Sequence, residues 1–444
     1  MAITETKTKY GQVHGVQKDG YTVFRGVPYA KPPVGEKRFC PPEEPACWEG
    51  VYKADHFGCV CPQTEHEPDS FYGKEFYLDP EFGMKQSEDC LYLNIWTPAN
   101  TVDEKLPGAF WIHGGAFMHG FSHESEFDGA AYCERGVILV AINYRLGAFG
   151  FLAHPWLSEE SGAGRSGNYA ILDQIAALKW VKENIAAFGG DPENITVFGQ
   201  SAGCMSVQTL VSSPLTENWI SKAIFQSAGG YDTGLNRDMP LSEAETIGQE
   251  FVELSGAKSL EELRAIPAEK IVELQEEFGR VNPSRMLSFV PNIDNHLLTC
   301  GYNDAVTEGK IKDIPYMLGS TADDIGVFPE MKEKGEHGGI YKGCINWSLA
   351  LEKLGRKPAY VYYFTRALLG DDAGAFHSSE LWYMFGTLGR SWRPKTEGDY
   401  ALSKEMMDDW TNFMKTGNPN AEGKDDWKPC TKDDPYVQVL DVRK

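Results

Sequence analysis

The sequence predicts an α/β protein with a large, mostly parallel central sheet flanked by helices, because two kinds of segment alternate along the chain. Residues 137–142 form a continuous apolar run, which is typical of a strand covered on both faces. Residues 169–184 instead repeat apolar side chains at the i, i+3, i+4, i+7 spacing of an amphipathic helix. Strands that alternate with helices in this way favour parallel pairing.

Further segments continue this alternation towards the C-terminus. The short apolar run 195–198 predicts a buried strand, and a helical pattern over 204–211 follows it after the sharp turn 199–203. Residues 241–277 are acidic and helical in pattern. Other candidate strands are 91–96, 108–112, 223–225, 315–318 and 360–364.

A single domain over residues 1–444 is expected. The length of 444 residues is compatible with about three domains or with one large unit. However, the chain has no internal repeat, no low-complexity segment and no long linker rich in Pro, Gly or Ser. We therefore expect one domain with loop and helical insertions. The composition, with 42% hydrophobic and 24% charged residues, excludes a disordered, collagenous or coiled-coil protein.

The charge balance excludes several classes of partner. The chain carries 42 Lys and Arg against 64 Asp and Glu, a net charge of −22, which repels phosphate backbones and anionic lipid headgroups. We therefore expect neither nucleic acid nor a membrane as a partner. The longest apolar stretch, 136–153, contains Asn143 and Arg145 and is not expected to span a bilayer. The polar residues 1–10 favour a cytoplasmic protein, whereas prior removal of a signal peptide would make it a secreted one.

No metal or cofactor is expected. Cys59 and Cys61 are separated by one residue, which is tighter than the usual zinc knuckle. His113, His119 and His123 share one segment, but no recurrent ligand pattern completes them. The ten cysteines are expected to be reduced thiols, because no secretory signal is recognised.

The turn at 199–203 offers a candidate nucleophile. Its sequence, Gly-Gln-Ser-Ala-Gly, has the G-x-S-x-G form, in which the serine sits on a strained strand-to-helix turn above a sheet. The predicted strand before it and helix after it favour Ser201 as a nucleophile over a plain loop. Such a hydroxyl needs a base, and the base needs an orienting carboxylate.

The base must follow Ser201 if the chain keeps the hydrolase order of serine, acid and histidine. His296 and His337 lie in polar or charged runs that favour solvent exposure, whereas His377 lies on a turn between two apolar segments. The acid is expected just after the candidate strand 315–318, where carboxylates emerge from a parallel sheet. Asp323 and Asp324 are adjacent there, and this reasoning does not choose between them.

A glycine-rich loop follows the candidate strand 108–112. His113-Gly114-Gly115-Ala116 has the form of a loop whose backbone N–H groups hold a tetrahedral oxyanion, although a plain turn gives the same pattern.

Four longer motifs resemble those of the type-B carboxylesterase and cholinesterase family. They occur in the family's order at 24–30 (FRGVPYA), 88–94 (EDCLYLN), 143–151 (NYRLGAFGF) and 188–194 (FGGDPEN). The resemblance extends from Gly15 through Phe413 and the following Thr-Gly-Asn-Pro at 416–419. It implies an α/β-hydrolase fold with a long mixed central sheet.

The resemblance also implies roles for individual residues. It makes Ser201 the nucleophile and His377 the general base, and it favours Asp324 as the acid because the family's Glu aligns with the second Asp. Asp in place of Glu, followed by the inserted Ile325, departs from the family pattern. A shorter carboxylate must therefore reach the imidazole.

The family pattern assigns supporting residues as well. The backbone N–H groups of Gly115, Ala116 and Ala202 would form the oxyanion hole, and Ser227 would hydrogen-bond the acid. Two family ion pairs are matched by Arg38 with Glu88 and by Arg145 with Asp173, and a family disulfide, typical of secreted members, is matched by Cys61 with Cys90.

Two departures from the family concern the substrate. Position 200 is Gln where cholinesterases carry Glu, so a choline ester is not expected. Residue 377 follows residue 324 by only 53 positions, so part of the helical lid is expected to be absent and the mouth of the site wider.

Aromatic side chains near the motifs either line a pocket or pack in the core: Phe117, Phe121, Trp382, Tyr383 and Phe385.

Together these features predict a serine carboxylic ester hydrolase that acts through an acyl-enzyme on neutral esters, either short-chain or aryl, including hydroxycinnamoyl esters. Its partner would be a small-molecule ester. Two alternatives are a lipase-like esterase and a non-catalytic adhesion or scaffold member of the family, although Ser201 and His377 are both retained.

Overall fold

The computed structural model describes residues 2–443, and its strands account for the scaffold on which the candidate residues lie. The strands are β1 Glu5–Thr8, β2 Gly11–Gln17, β3 Thr22–Pro28, β4 Val51–Ala54, β5 Tyr92–Thr97, β6 Leu106–Ile112, β7 Ile138–Ile142, β8 Gly190–Gln200, β9 Lys222–Gln226, β10 Met239–Pro240, β11 Asn292–Ile293, β12 Tyr316–Thr321, β13 Tyr360–Phe364 and β14 Gln438–Leu440.

Helices fill most of the connections between these strands. They are α1 Phe71–Phe76, α2 Ala130–Cys133, α3 Gly147–Phe151, α4 Pro155–Glu160, α5 Tyr169–Asn184, α6 Ala202–Ser212, α7 Leu241–Ser255, α8 Leu260–Ala265, α9 Ala268–Val281, α10 Tyr302–Thr307, α11 Pro329–Glu333, α12 Gly339–Lys353, α13 Leu381–Met384 and α14 Glu397–Thr416. Single 3₁₀ turns cover 35–37, 80–82, 185–188, 214–216, 283–285 and 388–390.

Twelve of the strands form one mixed sheet, in the order β1-β2-β3-β5-β7-β6-β8-β9-β12-β13-β14, with β4 paired to β2. The pairings from β7–β6 to β13–β14 are parallel, whereas those from β1–β2 to β5–β7 are antiparallel. Two apolar cores, one on each face, cover this sheet. The prediction of a large, mostly parallel sheet flanked by helices is confirmed, and its continuity supports our proposal of a single domain.

The register of the central strands brings their carboxyl ends to one edge. Ile112 at the end of β6 pairs with Gly199, and Gln200 at the end of β8 pairs with Gln226 at the end of β9. Gln226 in turn pairs with Gly319 of β12. The loops that leave β6, β8, β9 and β12 therefore start side by side, which is where ligands bind in open α/β sheets.

Several element bounds differ from those expected. The expected acidic helix over 241–277 is divided into three, because Gly256 ends α7 in the left-handed conformation at φ 78° and Pro267 caps the start of α9. Strand β8 begins at Gly190 rather than at residue 195, since its first part pairs with Leu106 across an irregularity in the register. Helix α5 has the expected bounds.

One buried and one partly buried ion pair connect the N-terminal loops to this framework. Arg145 Nη2 donates to Asp173 Oδ1 at 2.7 Å, and Arg38 Nε donates to Glu88 Oε1 at 2.6 Å. Both pairs were expected and are confirmed. Cys61 and Cys90, the pair matched to a family disulfide, are buried neighbours and are present as free thiols.

Among residues 2–443, no helix combines the length and the apolarity needed to cross a bilayer.

Candidate active site

Ser201 occupies the sharp turn between β8 and α6. Its backbone is left-handed, with φ 56° and ψ −126°, a conformation that costs a non-glycine residue about 1–3 kcal/mol. The flanking glycines permit this turn: a Cβ on Gly199 would lie 2.6 Å from the carbonyl carbon of Gly203, and a Cβ on Gly203 would overlap the carbonyl oxygen of Ile112. The Ser201 N–H donates to the Gln226 carbonyl at 2.9 Å, which ties the turn to the end of β9.

His377 is brought to the same edge of the sheet by the loop after β13. Its Nδ1 lies 2.6 Å from Oδ1 of Asp324, and both side chains are buried. The backbone N–H groups of Thr321 and Ile325 donate to the two carboxylate oxygens at 3.0 and 2.8 Å, so the orientation of the Asp324 carboxylate is fixed.

Opposing effects act on the pKa of each member of this pair. Burial works to raise the pKa of Asp324, but the charge of His377 and the hydrogen bonds to the carboxylate outweigh it, and the pKa lies below its ordinary value. Burial works to lower the pKa of His377, but the neighbouring Asp324 charge raises it above its ordinary value. The pair therefore favours a carboxylate beside an imidazole that accepts a proton readily.

Asp323 points elsewhere. Its Oδ2 accepts the N–H of Ala375 at 2.8 Å, its own N–H donates to the Ala375 carbonyl at 2.9 Å, and its side chain forms an ion pair with Lys332. Asp323 thus holds the backbone of the loop that carries His377 without contacting the imidazole. Of the two candidate carboxylates, the structure brings Asp324 to His377.

The other imidazole nitrogen has a second neighbour. Gln200 Nε2 lies 3.2 Å from His377 Nε2. When Nδ1 donates its proton to Asp324, Nε2 is the unprotonated nitrogen and can accept this hydrogen bond. Gln200, Ser201 and His377 all line one cavity, so the acceptor nitrogen and the serine hydroxyl share the same space.

The glycine-rich loop after β6 forms another wall of this cavity. Gly115, Ala116 and Phe117 are all left-handed, with φ of 99°, 56° and 62°, and a Cβ on Gly115 would overlap the carbonyl of His119. Within the described chain, nothing accepts a hydrogen bond from the N–H groups of Gly115 and Ala116. Ala202 is the first residue of α6, so its N–H also has no partner within the helix. These three groups can bind an oxyanion.

Ser227 lies directly after β9 in a left-handed conformation, and its N–H donates to the Gly319 carbonyl at 2.9 Å. Its hydroxyl contributes to lowering the pKa of Asp324, but the full geometry of a hydrogen bond is not reached among the described residues. Ser227 is therefore a neighbour of the acid, but the hydrogen bond that the resemblance implies is not formed.

The cavity beside Ser201 has a volume of about 270 Å³. Its aromatic walls come from Tyr72, Phe76, Tyr77 and Phe127. The aromatic residues that the sequence singled out are instead buried and do not line it: Phe117, Phe121, Trp382, Tyr383 and Phe385. The core-packing alternative is the correct one for all of them except Phe121, which is buried between aromatic rings outside the two cores.

The mouth of the cavity is apolar. Tyr72 and Ile325 both line the cavity and are 36% and 46% exposed, so they lie at its entrance. A larger cavity of about 910 Å³ lies elsewhere, between the loop around Cys40, helix α5 and helix α8, and none of the candidate catalytic residues lines it.

Sequence reasoning missed several acidic residues near the candidate site. Glu124 and Glu126 line the cavity, and the buried Glu380 faces Asp324 and His377. The sequence does indicate acidic residues close to the glycine-rich loop, because the run Ser122-His123-Glu124-Ser125-Glu126 follows it. No group of His, Cys, Asp and Glu within residues 2–443 has the arrangement of a metal site.

Comparison with known proteins places the chain in a family. The carboxylesterase family matches residues 3–339 and 344–444. The para-nitrobenzyl esterase of Bacillus subtilis (strain 168) is 33% identical over 98% of this chain and 94% of its own, and the fumonisin B1 esterase of Sphingopyxis macrogoltabida is 33% identical over 95% and 83%.

Solved structures give the same result. A PNB esterase structure superposes with a TM-score of 0.86 at 31% identity, covering 99% of this chain and 96% of that one. A carboxylesterase of Geobacillus stearothermophilus superposes with a TM-score of 0.83 at 32% identity over the same shares. Together with the motifs and the sheet order, these matches show that the chain belongs to the carboxylesterase family and is a carboxylic ester hydrolase with the α/β-hydrolase fold.

Proposed function

We propose that this protein hydrolyses neutral short-chain or aryl esters, including hydroxycinnamoyl esters, through an acyl-enzyme on a Ser201, His377 and Asp324 triad. The observation that carries the proposal is the 2.6 Å contact between His377 Nδ1 and the buried Asp324, with His377 and the strained Ser201 lining one cavity.

His377 acts as the general base in the first half of the reaction. It accepts the proton of Ser201 at Nε2 as the serine oxygen attacks the ester carbonyl. The N–H groups of Gly115, Ala116 and Ala202 donate to the oxyanion of the tetrahedral intermediate. His377 then protonates the leaving alcohol, and a water molecule repeats the sequence to release the acid.

Asp324 is a positioning residue in this scheme. It keeps the proton of His377 on Nδ1, so that Nε2 is free to accept the serine proton, and it stabilises the imidazolium that forms. The Gln200 amide that lies 3.2 Å from Nε2 must give way, because the serine hydroxyl needs the same lone pair.

The cavity walls support the assignment of the substrate. Its volume of about 270 Å³ and its four aromatic side chains fit an aryl or short acyl group. Gln200 offers a dipole but no charge at the position beside the nucleophile, so this position provides no counter-charge for a choline group.

The test is hydrolysis of p-nitrophenyl butyrate together with covalent labelling by a fluorophosphonate probe. Wild-type protein should hydrolyse the ester, and mass spectrometry should locate the label on Ser201. Ser201→Ala should lower kcat by about a million-fold. The exposed Ser284→Ala variant is the matched control and should keep wild-type activity.

Near-normal turnover by a well-folded Ser201→Ala variant, or a label on another residue, would refute the triad. A panel of acyl lengths and aryl esters, with methyl ferulate as the hydroxycinnamoyl member, then tests the substrate class.

The apolar mouth favours a lipase-like esterase as a second candidate, because Tyr72 and Ile325 present apolar surface at the entrance. A lipase-like enzyme should prefer p-nitrophenyl palmitate to the butyrate and should gain activity above the solubility limit of its substrate. The primary proposal requires the opposite preference.

A further inference from the structure

Gln200 places a buried amide in the wall of the cavity that contains Ser201. It ends β8 directly before the nucleophile, lines the cavity and is only 3% exposed. A buried amide carries two N–H donors and a carbonyl acceptor, and such groups nearly always have partners. The partners of the two ends therefore show whether Gln200 has a structural role or faces the substrate.

The donor end of this amide contacts the base. Gln200 Nε2 lies 3.2 Å from His377 Nε2, while Asp324 contacts the other imidazole nitrogen. Because Asp324 keeps the imidazole proton on Nδ1, Nε2 is an acceptor and the amide must present an N–H to it. Among residues 2–443, no hydrogen bond joins Ser201 to His377. In the resting site the base is thus held by Gln200.

The acceptor end of the amide has no partner. Within the described chain, nothing donates a hydrogen bond to Gln200 Oε1, and this oxygen is not enclosed by the surrounding atoms either. Since the side chain is otherwise buried and lines the cavity, Oε1 has its accessible surface there. A Cβ on Gly114 would lie 3.1 Å from Oε1 and 3.2 Å from Ser201 Cβ, so the oxygen and the nucleophile lie against the same glycine.

Gln208 shows the contacts of a buried glutamine with a structural role. It is only 1% exposed, its Nε2 donates to the Gly230 carbonyl at 3.0 Å, and its Oε1 accepts the Gly230 N–H at 3.1 Å. Both ends of that amide are occupied by the backbone. Gln200 has no such partner for its oxygen, so this oxygen is available to a donor that enters the cavity.

The position of the amide indicates which arm of the ester it meets. His377 Nε2 protonates the leaving alcohol, and the Gln200 amide lies against this nitrogen. Its oxygen therefore lies beside the alcohol arm, close to the ester oxygen. The amide is uncharged, so an uncharged donor such as a hydroxyl suits it. The aromatic walls offer a hydroxyl no comparable acceptor, and an unpaired hydroxyl would bind poorly there.

We propose that the cavity selects monoesters of vicinal diols, whose free hydroxyl donates to Gln200 Oε1 while the ester carbonyl lies at Ser201. The proposal rests on the proposed function and narrows its substrate class on the alcohol arm. The same hydroxyl can accept the Gln200 N–H, which leaves His377 Nε2 free to take the serine proton. Substrate binding thereby replaces the resting contact of the base.

Three esters of butyric acid test this subsite. 2-Hydroxyethyl butyrate is compared with propyl butyrate, which has nearly the same size, and with 2-methoxyethyl butyrate, which has a similar inductive effect but no donor. In wild-type protein, kcat/KM for the hydroxyethyl ester should exceed that for each comparator by about threefold to tenfold, the range expected for a hydrogen bond between neutral groups.

Three variants show whether Gln200 is responsible. Gln200→Met removes both ends of the amide at nearly the same side-chain length and should reduce both ratios to one or below. Gln200→Glu keeps an acceptor and should keep the preference. Each ratio is taken within one variant, so a general loss of activity cancels. Gln249→Met makes the same change at an exposed position outside the cavity and should keep the wild-type ratios.

Two results would overturn the proposal outright: wild-type ratios no greater than one, and ratios that Gln200→Met leaves unchanged. A preference over the propyl ester but not over the methoxyethyl ester also overturns it, because the donor would then have no effect. If Gln200→Met fails to fold, Gln200→Ala takes its place and the wild-type ratios still decide.

A binding measurement separates this subsite from catalysis. In ligand-observed NMR titrations with Ser201→Ala protein, 2-hydroxyethyl butyrate should bind more tightly than 2-methoxyethyl butyrate, and Gln200→Met in that background should remove the difference. If p-nitrophenyl butyrate is not hydrolysed but this difference is found, the proposed function fails and the subsite stands. If p-nitrophenyl butyrate is hydrolysed and the three esters show no preference, the subsite fails alone.

Discussion

Asp324 and His377 are 53 residues apart in the chain, yet Oδ1 of Asp324 lies 2.6 Å from Nδ1 of His377. The contact depends on a short parallel bridge between residue 323 and residue 376, which joins the loop after β12 to the loop after β13. The bridge turns the side chain of Asp323 towards the Ala375 backbone. The side chain of Asp324 then faces the imidazole of His377. One adjacent carboxylate therefore holds the loop, and the other holds the histidine.

This division of roles predicts unequal effects of two similar substitutions. Asp324→Asn should lower kcat on p-nitrophenyl butyrate by about 10⁴, because an amide cannot hold the imidazole in the required tautomer. Asp323→Asn removes one charge and weakens the contacts with Ala375 and Lys332, so it should change kcat by less than about tenfold. The measurement is steady-state kinetics, with circular dichroism to check that both variants fold. A reversed order of effects would assign Asp323 as the orienting group.

The pH dependence of kcat/KM provides a second prediction. His377 must be neutral to accept the serine proton, so activity should fall as the pH decreases through its pKa. Since Asp324 raises that pKa above the ordinary 6.5, the acidic inflection of the wild-type profile should lie above pH 6.5.

Two variants check the origin of this inflection. In Asp324→Asn the residual activity should have its inflection at lower pH than in wild type, because burial is then the dominant effect on the pKa of His377. Asp323→Asn should keep the wild-type inflection. An acidic inflection below pH 6.5 in wild-type protein would contradict the raised pKa of His377.

Much of this site could be predicted because its signals are local. The turn at Ser201 is specified by five consecutive residues, with a strand before and a helix after, and the flanking glycines are required by close backbone contacts. The choice of His377 needed the order of serine, acid and histidine along the chain, and then the apolar segments on either side of it, which His296 and His337 lack. Family resemblance then favoured Asp324, and its carboxylate is the one that contacts the imidazole.

The cavity walls could not be predicted in the same way. Trp382 and Tyr383 are close to His377 in sequence, but the direction of helix α13 points them into the core. Tyr72 and Tyr77 come from the region of helix α1, whose position depends on packing between residues that are more than two hundred positions apart, such as Phe71 with Phe376. Sequence proximity to a motif is therefore a poor guide to which aromatic side chains line the cavity.

The buried pair of Arg145 and Asp173 predicts a large effect on stability. Its side chains are only 3% and 0% exposed, and Asp173 also accepts the Arg145 N–H at 3.1 Å. Asp173→Asn leaves a buried guanidinium without its counter-charge and should destabilise the fold by about 3–5 kcal/mol. Glu273→Gln, which removes the exposed ion pair with Lys270, is the control and should cost less than about 1 kcal/mol.

Denaturant unfolding measures both changes. Equal and small effects of Asp173→Asn and Glu273→Gln would show that the buried pair does not stabilise the loops that it connects.

The last prediction concerns Glu380, whose buried carboxyl faces Asp324 and His377. Burial and the charge of Asp324 raise its pKa from the ordinary 4.5 to about 7, so the folded protein holds a proton there that the unfolded chain releases near pH 4.5. The stability contributed by this protonated carboxyl is complete below pH 4.5 and is lost as the pH rises through 7. Compared with Glu380→Gln, which does not titrate, wild-type protein should lose roughly 3 kcal/mol of stability between pH 4.5 and pH 8.

Thermal melting of both proteins across this range checks the prediction. The difference in Tm between variant and wild type should increase with pH, since the amide needs no proton to remain neutral in this environment. A difference in Tm that stays constant from pH 4.5 to pH 8 would mean that Glu380 titrates alike in the folded and unfolded protein, and a difference that decreases with pH would mean that its carboxylate is stabilised in the fold.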